Sequence, residues 1–83
     1  MFTIEKRNGG TIWITHPEPY EEGKKRVAYI SRLDRADVWS ITISKGTFQF
    51  WFTLVISPEN TEEKVIEIAK NVMMFSQFGV EFQ

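Results

Sequence analysis

The sequence contains no cysteine and one histidine, His16. The first absence excludes a disulfide framework and every thiolate metal site or nucleophile. The second leaves too little material for a histidine metal cluster. Small domains often draw stability from disulfides or metals. Here it must come from packing or from self-association. Long apolar runs are also missing. The longest, residues 48–56, is broken by Gln49 and Thr53 and falls far short of the ~20 residues a membrane helix needs. The opening MFTIEKRNGG has no apolar signal-peptide core. The chain is therefore expected to be cytoplasmic, with no membrane partner. Linkers, repeats and low-complexity segments are absent too.

Excess charge of one sign is lacking, since the net charge is −1. That argues against a strong generic polyanion binder. The distribution is less even. Residues 1–57 hold eight Lys or Arg against six Asp or Glu, and residues 58–83 hold two against five. The N-terminal part is mildly basic and the C-terminal part acidic.

What the chain does have is aromatic residues: seven Phe, three Trp and two Tyr among 83 residues. A chain of this length fits one domain, since single cores span roughly 50–200 residues. The pattern predicts an α+β domain over 1–83, with a five-stranded, mainly antiparallel, meander-like sheet over 2–57. One C-terminal helix over 58–78 packs on one sheet face, and a short tail follows over 79–83. Strand-like runs cover 2–7, 11–16, 24–32, 38–44 and 47–57, separated by Gly, Pro, Asn and Asp.

Two hairpins can be registered from side-chain alternation. With Asn8-Gly9-Gly10 as a three-residue loop, Ile4 faces Ile14 and Lys6 faces Ile12. Gly10 then supplies the left-handed conformation such loops end on. Thr3, Glu5, Arg7, Thr11, Trp13 and Thr15 share the other face. With Lys45-Gly46 as a two-residue loop, Ile43 meets Phe48, Ile41 meets Phe50 and Trp39 meets Phe52. Thr42 meets Gln49, Ser40 meets Trp51 and Val38 meets Thr53. A one-residue slip would mix apolar and polar faces. Trp39 thereby becomes a core residue and Trp51 an open-face residue. The middle strand is apolar on both faces, and Tyr29 is not assignable.

Ser57-Pro58 reads as a helix start, with Ser57 as cap and Pro58 in the first turn. Val65, Ile68, Ala69, Val72, Met73, Phe75 and Ser76 form the apolar stripe. Met73 reads as core and Met74 as its exposed neighbour. Gly79 reads as the residue just past the end, and residues 80–83 could add a short edge strand.

One helix covers one sheet face, leaving Trp13 and Trp51 on the other, with Val38 and Val55 nearby by parity. Large exposed aromatics among short polar residues mark interaction surfaces, whereas a curled sheet or a loop over them would make them a minor core. The partner-binding candidates are therefore Trp13, Trp51, Gln49 and Val55, and a homodimer closing this face is a further option. The basic residues Lys24, Lys25, Arg26 and Arg32 supply a second reading. Cations beside stacking aromatics are how several single-stranded nucleic-acid binders work. His16 with Glu18, Glu21 and Glu22 matches no metal spacing. Asp34 and Asp37 read as turn residues. No base stands beside a serine to activate it, so neither an enzyme nor a cofactor is expected.

Strands followed by one C-terminal helix are similar in topology to the Whirly-type single-strand DNA binders. That likeness rests on element order and on no motif, and it implies single-stranded nucleic acid as ligand. A short, cysteine-free, single-domain chain is also similar in style to small viral proteins that bind and block a host factor. The residues themselves favour a non-enzymatic protein-binding module that inhibits or regulates its partner.

Overall fold

The computed structural model describes residues 1–18, 25–45 and 48–79. The first reversal is set by Asn8-Gly9-Gly10, where Gly9 and Gly10 have φ of 86° and 83°. Arg7 and Thr11 close the turn, with the Arg7 N–H donating to the Thr11 carbonyl at 2.8 Å. A Cβ on Gly10 would meet no atom within 4 Å, so the demand for glycine is purely conformational. Gly10→Ala should therefore lower stability by about 1–2 kcal/mol, the cost of left-handed backbone in an L-residue. Thermal melting checks this, and an unchanged midpoint would mean the turn has other conformations available.

The strands β1 (Thr3–Lys6), β2 (Ile12–Thr15), β3 (Arg26–Leu33), β4 (Val38–Lys45) and β5 (Phe48–Val55) form one antiparallel sheet in chain order. The helix α1 (Glu62–Gly79) follows. β1 and β2 pair Ile4 with Ile14 and Lys6 with Ile12, as the three-residue loop predicts. β3 and β4 are joined by Asp34–Asp37. Asp37 takes a left-handed φ of 55° and donates its N–H to the Asp34 carbonyl. Both aspartates are thus turn residues.

The last hairpin corrects the expected register. Lys45 is a strand residue paired with Phe48, Ile43 faces Phe50, Ile41 faces Phe52 and Trp39 faces Leu54. Every pair is displaced by two residues from the expected one. Side chains alternate with period two, so a two-residue shift leaves each on its own face. Apolar sorting excludes odd slips and is blind to even ones. Gly46, the other half of the expected loop, lies outside the described residues, as do residues 80–83.

The helix starts later than Ser57-Pro58 suggests. Thr61 caps it, with its Oγ1 accepting from the Lys64 N–H at 3.2 Å and its carbonyl from the Val65 N–H at 2.9 Å. Residues 57–60 form a turn instead, closed by the Asn60 N–H on the Ser57 carbonyl. Tertiary bonds hold it there. Trp39 Nε1 donates to the Asn60 carbonyl at 3.1 Å, and Asn60 Nδ2 donates to the Val55 carbonyl at 2.8 Å. Those bonds commit Asn60 outside the helix. At the other end Gly79 is the last helical residue rather than the first one beyond it.

The core lies between α1 and one sheet face. Val65, Ala69 and Met73, at four-residue spacing, are fully buried against Ile12, Ile14, Ala28, Ile30, Ile41 and Ile43. Trp39 joins them at 5% exposure, and Met74 is exposed, as expected. α1 packs chiefly over β3 and β4. Phe50, Phe52 and Leu54 on the outer strand β5 are only half-buried beside it.

Candidate functional site: the open sheet face

The opposite face follows from the same alternation. Glu5, Trp13, Tyr29, Thr42 and Trp51 are successive partners across all five strands, one straight row. Tyr29, which the sequence leaves unplaced, belongs to this face. The connection before β3 is too long to transmit register, so only the fold decides it. Around the row the face carries short side chains. Ser31, Ser40 and Thr53 flank it on one side, and Thr15, Ser44 and Gln49 on the other.

The two tryptophans differ. Trp13 is half-buried: its ring meets Tyr29 edge-on with centroids 4.5 Å apart, and the Arg7 guanidinium lies 3.6 Å above it. Trp13 and Tyr29 form a non-hydrogen-bonded pair, the kind that brings side chains closest. Arg7 also reaches Glu5 Oε1 at 3.2 Å. Trp13 therefore sits inside a small packed rim at the β1 side. Trp51 is 71% exposed on the outermost strand, and Gln49 beside it is exposed. Val55, paired with Val38, is 57% exposed. Val38 pairs in turn with Leu33, 45% exposed. Leu33 and Tyr29 thus extend the candidate set of Trp13, Trp51, Gln49 and Val55. Among the described residues no element covers this face.

The basic candidates lie elsewhere. Arg26 and Arg32 share the face of Ala28 and Ile30, toward the helix side. Arg32 Nε donates to Asp34 Oδ1 at 2.7 Å, and its guanidinium stands 5.5 Å from the Trp39 ring centre. Arg26 Nε and Nη1 are buried with no hydrogen-bond partner among the described residues. Lys25 is exposed ahead of β3, and Lys24 lies outside the described residues. The structure thus separates Arg26 and Arg32 from the Trp13–Trp51 row. On that face Glu5 is the charged residue of β1–β5, and it is paired with Arg7 just beyond β1.

His16 is a packed residue. Its ring meets Phe2 edge-on at 5.0 Å, and Nδ1 accepts the Glu18 N–H at 3.0 Å. Burial first, and then the Arg26 charge, hold its pKa below the ordinary 6.5. The unfolded chain thus takes up the proton more readily, so this contribution to stability is intact above about pH 6.5 and fades as pH falls toward the folded-state value. His16→Gln should flatten that acid-side loss in urea midpoints across pH. An unchanged slope would remove His16 as its source. Glu21 and Glu22 lie outside the described residues. Among the described residues no three His, Asp or Glu side chains converge as a metal site.

A cleft at one end of the sheet is lined by Gly10, Arg32, Trp39, Asn60 and Glu62. Its polar groups are committed to structural contacts: Glu62 to Lys6 at 2.6 Å, Arg32 to Asp34, and Asn60 to Trp39. No helix among the described residues is long and apolar enough to cross a membrane. No protein-family model matches the chain, and no curated protein or solved structure matches it.

Proposed function

We propose that this chain is a non-enzymatic protein-binding module of the cytoplasm that regulates or inhibits a partner by covering part of its surface with the open sheet face. The carrying observation is Trp51, 71% exposed at the end of an aromatic row on a face no described element covers. Tryptophan in such a position is the commonest hot-spot residue. The surrounding Ser, Thr, Val and Gln side chains can be desolvated at little electrostatic cost. Single-stranded nucleic acid fits the same face less well, because stacking platforms need cations along the strand's path and Arg26 and Arg32 lie on the other side.

Affinity capture from source-cell lysate, with and without nuclease, comparing wild type with Trp51→Ser, tests the reading. A defined protein retained after nuclease and lost with Trp51→Ser is the expected result. Capture abolished by nuclease would move the function to nucleic acid.

A further inference from the structure

The two edges of the sheet are unequal. β1 is four residues long, and its charges are paired: Glu5 with Arg7 and Lys6 with Glu62. Short, charged edge strands resist pairing with another chain. β5 is twice as long, carries no charge, no proline and no glycine, and pairs with β4 without a bulge from Phe48 to Val55. Among the described residues, none of the usual protections lies along Gln49 to Thr53.

The direction of its backbone groups follows from one bond. The Ile56 N–H donates to the Asp37 carbonyl at 2.8 Å, which makes that pair a hydrogen-bonded one. Hydrogen-bonded and non-hydrogen-bonded pairs alternate along an antiparallel ladder. Leu54, Phe52 and Phe50 thus bond to β4, whereas Val55, Thr53, Trp51 and Gln49 turn their N–H and C=O outward. The Val55 carbonyl confirms this polarity, since Asn60 Nδ2 reaches it from outside the ladder at 2.8 Å. That capping ends the free edge at Val55 and leaves Gln49, Trp51 and Thr53 as its outward donors and acceptors.

We infer that this edge binds the same edge of a second copy of the chain, antiparallel, joining two five-stranded sheets into one of ten strands. With the Val55 carbonyl occupied, the pairing centres on Trp51. Trp51 faces its counterpart, and Gln49 faces Thr53 of the other copy. Like charges directly opposite would oppose self-pairing, and β5 has none. On the helix side, Phe50 of each copy lies opposite Phe52 of the other, adding cover where α1 leaves β5 half-buried. The assembly also closes. Pairing consumes both β5 edges and leaves only the two charged β1 edges outside, so growth stops at two copies. The edge works through backbone groups and the open face through side chains, so this inference stands apart from the proposed function.

The test is sedimentation of the full chain over a concentration series, with amide hydrogen exchange read by residue. Wild type should move from monomer to dimer mass. The amides of Gln49, Trp51 and Thr53 should gain protection in step, while Phe50, Phe52 and Leu54 are protected throughout. Thr53→Pro removes one outward N–H and no bond within the chain, so it should keep the monomer fold and hold the mass at one copy. Should proline disturb the strand, Thr53→Lys places a charge beside the two-fold axis with the same expected loss of dimer. A wild type that stays monomeric, or a dimer whose Trp51 and Thr53 amides exchange freely, overturns the inference. Trp51 lies on both surfaces, so the dimer is tested through Thr53, and the capture experiment through Trp51→Ser is read with the Thr53→Lys form as a monomeric control.

Discussion

Trp39→Ser is expected to lower the unfolding free energy by about 3–5 kcal/mol, the range for deleting a buried tryptophan. Trp39 is 5% exposed within the core and ties its Nε1 to the Asn60 carbonyl. Serine would leave a cavity beside Ile41 and Leu54 and strip that carbonyl of its donor. A domain of this size holds roughly 0.05–0.15 kcal/mol per residue in total. For 83 residues that is about 4–12 kcal/mol, so the variant loses a large share of its stability. The lost Asn60 contact also loosens the 57–60 turn that aims α1 at the sheet. Urea unfolding followed by circular dichroism measures the loss. A decrease under 1 kcal/mol, far below the range for a buried tryptophan, would show that Trp39 packs more loosely than its burial indicates.

The same chemical change at Trp51 should do the opposite. Trp51→Ser removes a side chain that is 71% exposed and in none of the buried clusters. Its stability should stay within about 0.5 kcal/mol of wild type, as for surface substitutions generally. Its affinity for the partner should fall by 2 kcal/mol or more, about 30-fold, the threshold for a hot spot. The pair of variants separates folding from binding, since each reads one face of the same sheet. A Trp51→Ser protein that unfolds like Trp39→Ser would make the open face a second core and withdraw the proposed function. A folded one with undiminished binding would move the site off this face.

Much of the fold is legible because alternation and turn chemistry are local. Gly10 announces the first hairpin, and Ile4, Ile12 and Ile14 pick its register among the alternatives. The same logic sends Trp39 inward and Trp51 outward. It fails where periodicity has no resolving power. Even-numbered slips preserve the faces, so the β4–β5 register is read two residues out while every side chain is placed correctly. The helix start is misread at Ser57-Pro58 because the deciding bonds, from Trp39 to Asn60 and from Asn60 to Val55, join residues distant in sequence. Arg26 and Arg32 share the parity of Ala28 and Ile30, so the same unresolved choice of face that leaves Tyr29 unplaced leaves them unplaced too. Only the pairing of β3 with β2 and β4 sends both arginines to the helix side, away from Trp13.

The strand order has a kinetic consequence. Each strand lies beside its neighbour in the chain, so the sheet grows by closing short loops, the longest being the connection between β2 and β3. Loop-closure entropy rises only slowly with length. Folding speed follows how far apart in sequence the contacting residues lie. This chain should therefore fold faster than β-sandwiches of similar size, in which distant strands must first find one another. The surface that receives Val65, Ala69 and Met73 is assembled from β2, β3 and β4 together. The helix is accordingly expected to dock after the central hairpins form, in which case Ala69→Gly should speed unfolding more than it slows folding.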